Sequence, residues 1–209
     1  MKVLLVNGSP HQHGCTYTAL EEIAGVLKAE GIKTEFFWLG TKPLAGCMGC
    51  GYCYTNGKCV FDDCVNEFIE KAADADGFIF GSPVHYAGAS GALTSFMDRI
   101  FYSGSSRGVF RHKPAAAICS ARRGGTTATF DQLNKYFGIS QMPIVTSQYW
   151  NMVHGNTPEE VMQDEEGLQT MRVLGRNMAW LLKCMEAGRQ TGVPLPETEE
   201  KKCRTNFIR

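Results

Sequence analysis

The sequence predicts a doubly wound α/β fold: one mostly parallel sheet of five strands, in the order 2-1-3-4-5, with helices on both faces. Three observations carry that expectation. Short apolar runs such as Val3-Leu4-Leu5-Val6 alternate with longer segments of helical period, and runs without polar alternation suit strands buried on both faces. Several runs end in turn-forming loops, as at Gly8-Ser9-Pro10 and Gly81-Ser82-Pro83. The 209 residues, 44% hydrophobic and 20% charged, fill one packed domain and are too few for two of ordinary size.

Taken in order, Lys2 to Asn7 reads as the first strand and Thr16 to Glu30 as the first helix, with Leu20, Ile23, Ala24 and Leu27 on one face and Gly31 as its stop. Lys33 to Leu39 is the second strand. A helix that begins near Cys64 and closes over Ala72 to Asp76 leads into the third strand, Gly77 to Gly81. Ala89 to Tyr102 follows as a helix with Leu93, Phe96, Met97 and Ile100 on one side. Pro114 opens the fourth strand, Ala115 to Cys119, and Phe130, Leu133 and Phe137 mark the next helix. Met142 to Trp150 is expected as the fifth strand and Leu168 to Met185 as the last helix. Right-handed crossovers then place helices on both faces. Residues 1–188 make up the domain; 189–209, with Pro194, Pro196 and the charge run Glu197 to Lys202, read as an extended C-terminal arm.

Composition excludes several functions. Lys plus Arg (21) balances Asp plus Glu (21), so no basic surplus favours nucleic acid. No apolar run reaches the ~18 residues of a membrane span, and the N-terminal apolar run is too short for a signal-peptide core. The expectation is a cytoplasmic protein with no membrane or nucleic-acid partner. Of nine cysteines, five crowd between positions 47 and 64, and such a local cluster points to metal or redox chemistry, not a disulfide scaffold.

In a sheet of this order, ligands bind at the carboxyl ends of the strands, in the crevice between the first and third. The first loop, Gly8 to Thr16, delivers Ser9 and Thr16 hydroxyls and the free amides of a helix start, which suit a phosphate. It lacks both the dinucleotide glycine fingerprint and the Gly-Lys-Ser/Thr ending of a P-loop. The plainer alternative is an ordinary turn with Thr16 as helix cap. The second loop, Ser82 to Gly88, offers the Tyr86 ring and open backbone to a flat heterocycle. The third, Ser120 to Gly125, brings Arg122 and Arg123, as ligand contacts or as solvated charges, and a glycine pair.

Together GSPHQHGCT, GSPVHYAGASGALTSFMDRI and ICSARRGGTT resemble the three cofactor loops of the flavodoxin-like NAD(P)H-dependent FMN reductases, and the resemblance covers about the whole chain in order. The family's usual Gly-Ser-Pro-Arg-x-x-Gly-Asn-Thr stands here with His11 for the basic residue and Cys15 for the Asn. The resemblance implies an FMN phosphate held over Ser9, His11, Cys15, Thr16, Tyr17 and Thr18, with Ser9, Thr16 and Thr18 its better partners. It implies an isoalloxazine against Pro83, Val84, His85, Tyr86 and Ala87, with Ser120, Arg122, Gly124 and Gly125 opposite. His85 and Tyr86 are the candidate catalytic groups at the reacting edge, or else they stack and support the loop. The implied activity is electron transfer from NAD(P)H to a small acceptor such as a quinone, a flavin or a nitro- or azo-aromatic. A non-enzymatic, flavodoxin-type carrier is the alternative; such carriers are usually markedly acidic, and the sequence pI here is about 6.9.

The run Cys47-x2-Cys50-x2-Cys53-x5-Cys59 resembles the compact motif of the iron-sulfur flavoproteins, a branch of the same family. That resemblance implies a [4Fe-4S] cluster on those four thiolates, with ferredoxin as a possible electron source and Cys64 left spare at a helix start capped by Asp62 or Asp63. A four-thiolate zinc site, a thiol redox loop and a cluster-free relative are the other readings. Since the loop leaves the second strand at the crevice end, a cluster is expected near the flavin. The family also implies a homodimer or homotetramer, with Phe101, Tyr102, Phe110, Tyr149, Trp150 and the C-terminal arm as partner surface.

Overall fold

The computed structural model describes residues 1–196 and 205. Its elements are β1 (Lys2–Asn7), α1 (Cys15–Ala29), β2 (Lys33–Trp38), α2 (Tyr52–Asn56), α3 (Cys64–Ala73), β3 (Gly77–His85), β4 (Gly88–Ala89), α4 (Gly91–Ser105), β5 (Ala115–Ala121), α5 (Thr126–Ile139), β6 (Met152–His154), α6 (Pro158–Val161) and α7 (Glu165–Gln190). The parallel strands run β2-β1-β3-β5-β6. Counted as successive parallel strands, that is the expected order 2-1-3-4-5.

Because alternate strand residues face opposite sides of a sheet, two cores form. Leu4, Val6, Phe78, Phe80, Ala115 and Ala117 pack with Phe68 of α3, Phe96 of α4 and Phe137 of α5. On the other face Val3, Leu5, Ile79, Ala116 and Ile118 meet Leu20, Ile23 and Leu27 of α1 and Met171, Leu174 and Met178 of α7. Every side chain just named is buried, as continuous apolar strands require.

The structure corrects the sequence expectation in four places. The fifth strand does not run from Met142 to Trp150. Ile144 makes only an isolated bridge with Ala115, the chain then leaves the sheet, and pairing resumes at Met152–His154. Ser147 Oγ donates to Tyr149 O and Asn151 Oδ1, which ties off that excursion, and Asn151 Nδ2 donates to the Ala117 carbonyl in place of a strand amide. The third strand runs past Gly81 to His85 and turns back as a hairpin with β4, so α4 starts at Gly91 and not at Ala89. The last helix continues through Gln190, so the arm begins later than 189; its charge run lies outside the described residues. Phe101 and Phe110 are not surface: both are buried, with ring centroids 4.7 Å apart, whereas Tyr102, Tyr149 and Trp150 are exposed. Among the described residues no helix is long and apolar enough to cross a membrane.

Candidate functional site

The crevice is built first by hydrogen bonds among the loops themselves. After β1, the Ser9 amide donates to Asn7 Oδ1, the His11 amide to Ser9 Oγ, and Asn7 Nδ2 to the Gln12 carbonyl. Trp38 Nε1 of β2 donates to the Ser9 carbonyl at 2.8 Å. Ser90 Oγ donates to the Gly8 carbonyl, and the Ser90 amide donates to Ser82 Oγ, which stitches the first loop to the second. Gly8 is required there, since a Cβ would lie 2.8 Å from Leu93 Cβ and 3.0 Å from the Gly81 carbonyl oxygen.

Two long helices begin at this edge, and neither has a side-chain cap. α1 starts after Gly14 and α5 after Gly125, whereas α3, α4, α6 and α7 are capped by Asp63, Ser90, Thr157 and Asp164. Thr16 is therefore not a cap. The first-turn amides of α1 and α5 have no intrahelical acceptor, and each helix dipole favours an anion there. Thr16 Oγ1 and Ser120 Oγ, both buried, lie 2.8 Å apart and tie the start of α1 to the end of β5.

The hairpin tip between β3 and β4 carries two non-glycine residues with positive φ, Tyr86 at 50° and Ala87 at 59°. That two-residue turn holds a strained backbone of the kind that clusters at functional sites. His85, Tyr86 and Ala87 are exposed, and Tyr86 is fully open to solvent. Gly125, at φ 93°, packs against this tip, and a Cβ on it would come within 2.7 Å of Ala87 Cα. Pro83 and Val84 are half-buried on the β3 side of the same crevice, while Arg122, Arg123 and Gly124 are exposed on the other.

The remaining first-loop residues divide. Thr18 Oγ1 donates to the Gly14 carbonyl, and the Cys15 thiol reaches the Gly155 carbonyl at 3.6 Å, with burial holding its pKa above the ordinary thiol value. Tyr17 leaves the crevice: its ring packs on His13 and Phe36 and its hydroxyl donates to Glu21. Only its amide stays in the first turn. His11 is exposed.

The cysteine loop forms a second site. Cys47, Cys50, Cys53 and Cys59 all line one cavity of about 470 Å³, closed on the far side by Asp98, Arg99, Tyr102 and Ser103 of α4. Cys64 is absent from that lining; it starts α3, whose cap is Asp63 and not Asp62. Burial, then the Asp63 carboxylate, pushes the Cys64 thiol up to about 11. Among the described residues, no three His, Cys, Asp or Glu side chains stand close enough together to ligate one ion. The four sulfurs ring a cavity; they are not gathered on one point. The cavity's α4 wall begins eight residues after Ser90, about 12 Å along the helix axis at ~1.5 Å per residue.

Arg99 and Asp98, which the sequence reading passed over, complete this second site. Asp98 Oδ1 accepts from Tyr136 OH. Arg99 is buried among the loop's polar groups, where burial opposes its charge but Asp63 and Cys59 outweigh that and raise its pKa. No sequence signal marks either residue, because their partners come from distant segments.

A parallel sheet of this order, with helices on both faces, defines an α/β protein of the flavodoxin-like class, and the uncapped helix starts and hydroxyl-bearing loops lie at the carboxyl edge where such sheets bind ligands. An archaeal flavodoxin of solved structure superposes with a TM-score of 0.60 at 15% identity, over 88% of this chain and 99% of that one. The sequence pattern of the NADPH-dependent FMN reductase family matches residues 1–157. An iron-sulfur flavoprotein of Methanocaldococcus jannaschii is 37% identical over 195 residues, 89% of this chain and 100% of the relative. One from Methanosarcina thermophila is 26% identical over 192 residues, 90% of this chain and 99% of the relative. The chain belongs to the NADPH-dependent FMN reductase family, in its iron-sulfur flavoprotein branch.

Proposed function

We propose that the chain is a cytoplasmic, FMN-dependent oxidoreductase that passes electrons from NAD(P)H, or from ferredoxin through a [4Fe-4S] cluster, to a small acceptor such as a quinone, a free flavin or a nitro- or azo-aromatic. The observation that carries this reading is the pair of uncapped helix starts, of α1 and α5, at the carboxyl edge of the sheet, with the Thr16–Ser120 bond tying the start of α1 to the end of β5. Amides of Cys15, Thr16 and Tyr17, with the hydroxyls of the first loop, would hold the phosphate without a cation, in keeping with His11 at the family's basic position. Pro83 to Ala87 and Ser120 to Gly125 would flank the ring system, and the strained tip at Tyr86 and Ala87 would present its face.

Bound FMN would supply hydride acceptance and one- or two-electron exchange. The chain's own work is to orient that group, exclude water from one side with the hairpin, and bring Arg122 and Arg123 to the edge where negative charge develops. His85 and Tyr86 are the groups proposed nearest to a second substrate.

The cysteine loop supports the cluster. Four thiols line one cavity beside a buried cation, which is the donor set and the charge balance that a cluster of thiolate ligands takes. Tyr102, Tyr149 and Trp150 offer exposed aromatic surface for the proposed assembly of two or four chains. The test of the activity is anaerobic steady-state oxidation of NADH and NADPH by the FMN-loaded chain with a quinone acceptor. Turnover supports the enzyme; FMN retention without turnover, from ferredoxin or from either nucleotide, would make it a carrier.

A further inference from the structure

Arg99 is 1% exposed, and a buried guanidinium is costly unless each of its donors is used. Nη1 donates to Asp63 Oδ2 at 2.7 Å and to the Ala45 carbonyl at 3.2 Å, while Nη2 donates to Asp63 Oδ1 at 2.8 Å. Nε and Nη2 both donate to Cys59 Sγ, each at 3.3 Å. The guanidinium carbon sits 4.7 Å from the centroid of the Phe61 ring. The cation is thus enclosed by residues of the cysteine loop while being carried on α4.

Besides satisfying the buried guanidinium, the two sulfur contacts hold the Cys59 side chain. Asp63 already caps α3 through the Val65 amide. The Cys59 backbone is already fixed at both ends by Asn66, whose Oδ1 accepts from the Cys59 amide and whose Nδ2 donates to the Cys59 carbonyl. A thiol sulfur is a weak acceptor, yet two N–H groups of the guanidinium converge on this one. Among the described residues the other three cysteines of the run have no such partner, so the arrangement singles out one ligand position.

We propose that Arg99 is a positioning and potential-setting residue for a metal-sulfur centre in this loop: it aims the Cys59 sulfur and, through its buried charge, makes the centre easier to reduce. The inference rests on the cluster reading given above. Hydrogen bonds and charge at ligand sulfurs are among the determinants of cluster potential, and the partners that orient a ligand bear on metal affinity. Asp63 partly offsets the Arg99 charge, so the two residues act on the potential with opposite sign.

The full chain would be reconstituted anaerobically with iron, sulfide and FMN, and the centre's midpoint potential read by EPR-monitored redox titration in the parent, Arg99→Lys and Asp63→Asn. Asn preserves a capping oxygen for α3, and FMN content serves as the folding control in both variants. Expected is a more negative midpoint in Arg99→Lys, whose ammonium cannot fork onto sulfur and carboxylate together, and a more positive midpoint in Asp63→Asn. Midpoints equal to the parent's in both variants, or shifted in the same direction, would overturn the role. If Arg99→Lys retains no iron or fails to fold, the sign in Asp63→Asn decides: a more positive value supports the proposal, and an unchanged or more negative one overturns it. A parent that holds no iron overturns the cluster reading and this inference together, a result distinct from a loaded parent whose variants do not differ from it.

Discussion

Thr16 Oγ1 and Ser120 Oγ lie 2.8 Å apart in the interior, although they are separated by most of the sheet in sequence. One hydroxyl opens α1 and the other closes β5, so their contact holds the first turn of α1 against the end of β5, where the loop leading to α5 leaves the sheet.

Replacing Thr16 by Val keeps the shape and removes the hydroxyl, which leaves Ser120 Oγ buried without its partner. The expected cost is about 1–3 kcal/mol of stability, with a weaker FMN affinity. Denaturant unfolding and fluorescence titration with FMN check both; an unchanged pair of values would mean that the contact does not hold the crevice.

Gly125→Ala should be more damaging to the site than its single methyl suggests. Positive φ at a non-glycine residue costs about 1–3 kcal/mol, and the added Cβ would meet backbone at Ala87. The hairpin tip must move. FMN affinity is expected to fall at least tenfold while circular dichroism still reports a folded chain.

Arg122→Ala and Arg123→Ala separate useful charge from solvated charge. At least one substitution is expected to raise the NAD(P)H Michaelis constant severalfold or to lower the flavin potential. Parent-like kinetics and potential in both would make these arginines ordinary surface.

Alkaline pH should loosen the fold through the buried Cys119 and the half-buried Cys64. Burial raises Cys119 to about 12 and Cys64 to about 11 from an ordinary 9.0. A raised folded-state value means that the stability from keeping these groups neutral is fully present below pH 9 and is lost as pH climbs through 9 toward 12. In Cys119→Ala the fall in unfolding free energy across that window should be shallower than in the parent, although the variant starts lower.

The strands at the sheet centre are readable in the sequence because the middle stretches of β1, β3 and β5 are buried on both faces and consequently apolar. The sequence placed the three crevice loops as well, since Gly, Ser and Pro mark strand ends. Met142 to Trp150 has strand-like composition, but the pairing with β5 lies at Met152–His154, after an excursion tied by Ser147 and Asn151 that no local pattern reveals. The positive φ of Tyr86 and Ala87 was hidden for a related reason: neither residue advertises that conformation. No sequence signal marks Arg99; only the return of Cys59 and Asp63 onto α4 shows that it is enclosed. The cysteine run itself is plain from spacing; the α4 wall that faces it, with Asp98, Arg99, Tyr102 and Ser103, is not.

The central claim is that one chain carries both a flavin crevice and a four-cysteine cluster loop. Anaerobic reconstitution of the parent, Cys50→Ser and Cys64→Ser, followed by iron, FMN and absorbance analysis, tests it most directly. The expected result is about four iron atoms per parent chain with broad absorbance near ~400 nm beyond that of FMN, iron lost in Cys50→Ser alone, and FMN retained in all three. A reconstituted parent that binds no iron, or a Cys64→Ser variant that loses it as Cys50→Ser does, would contradict the account.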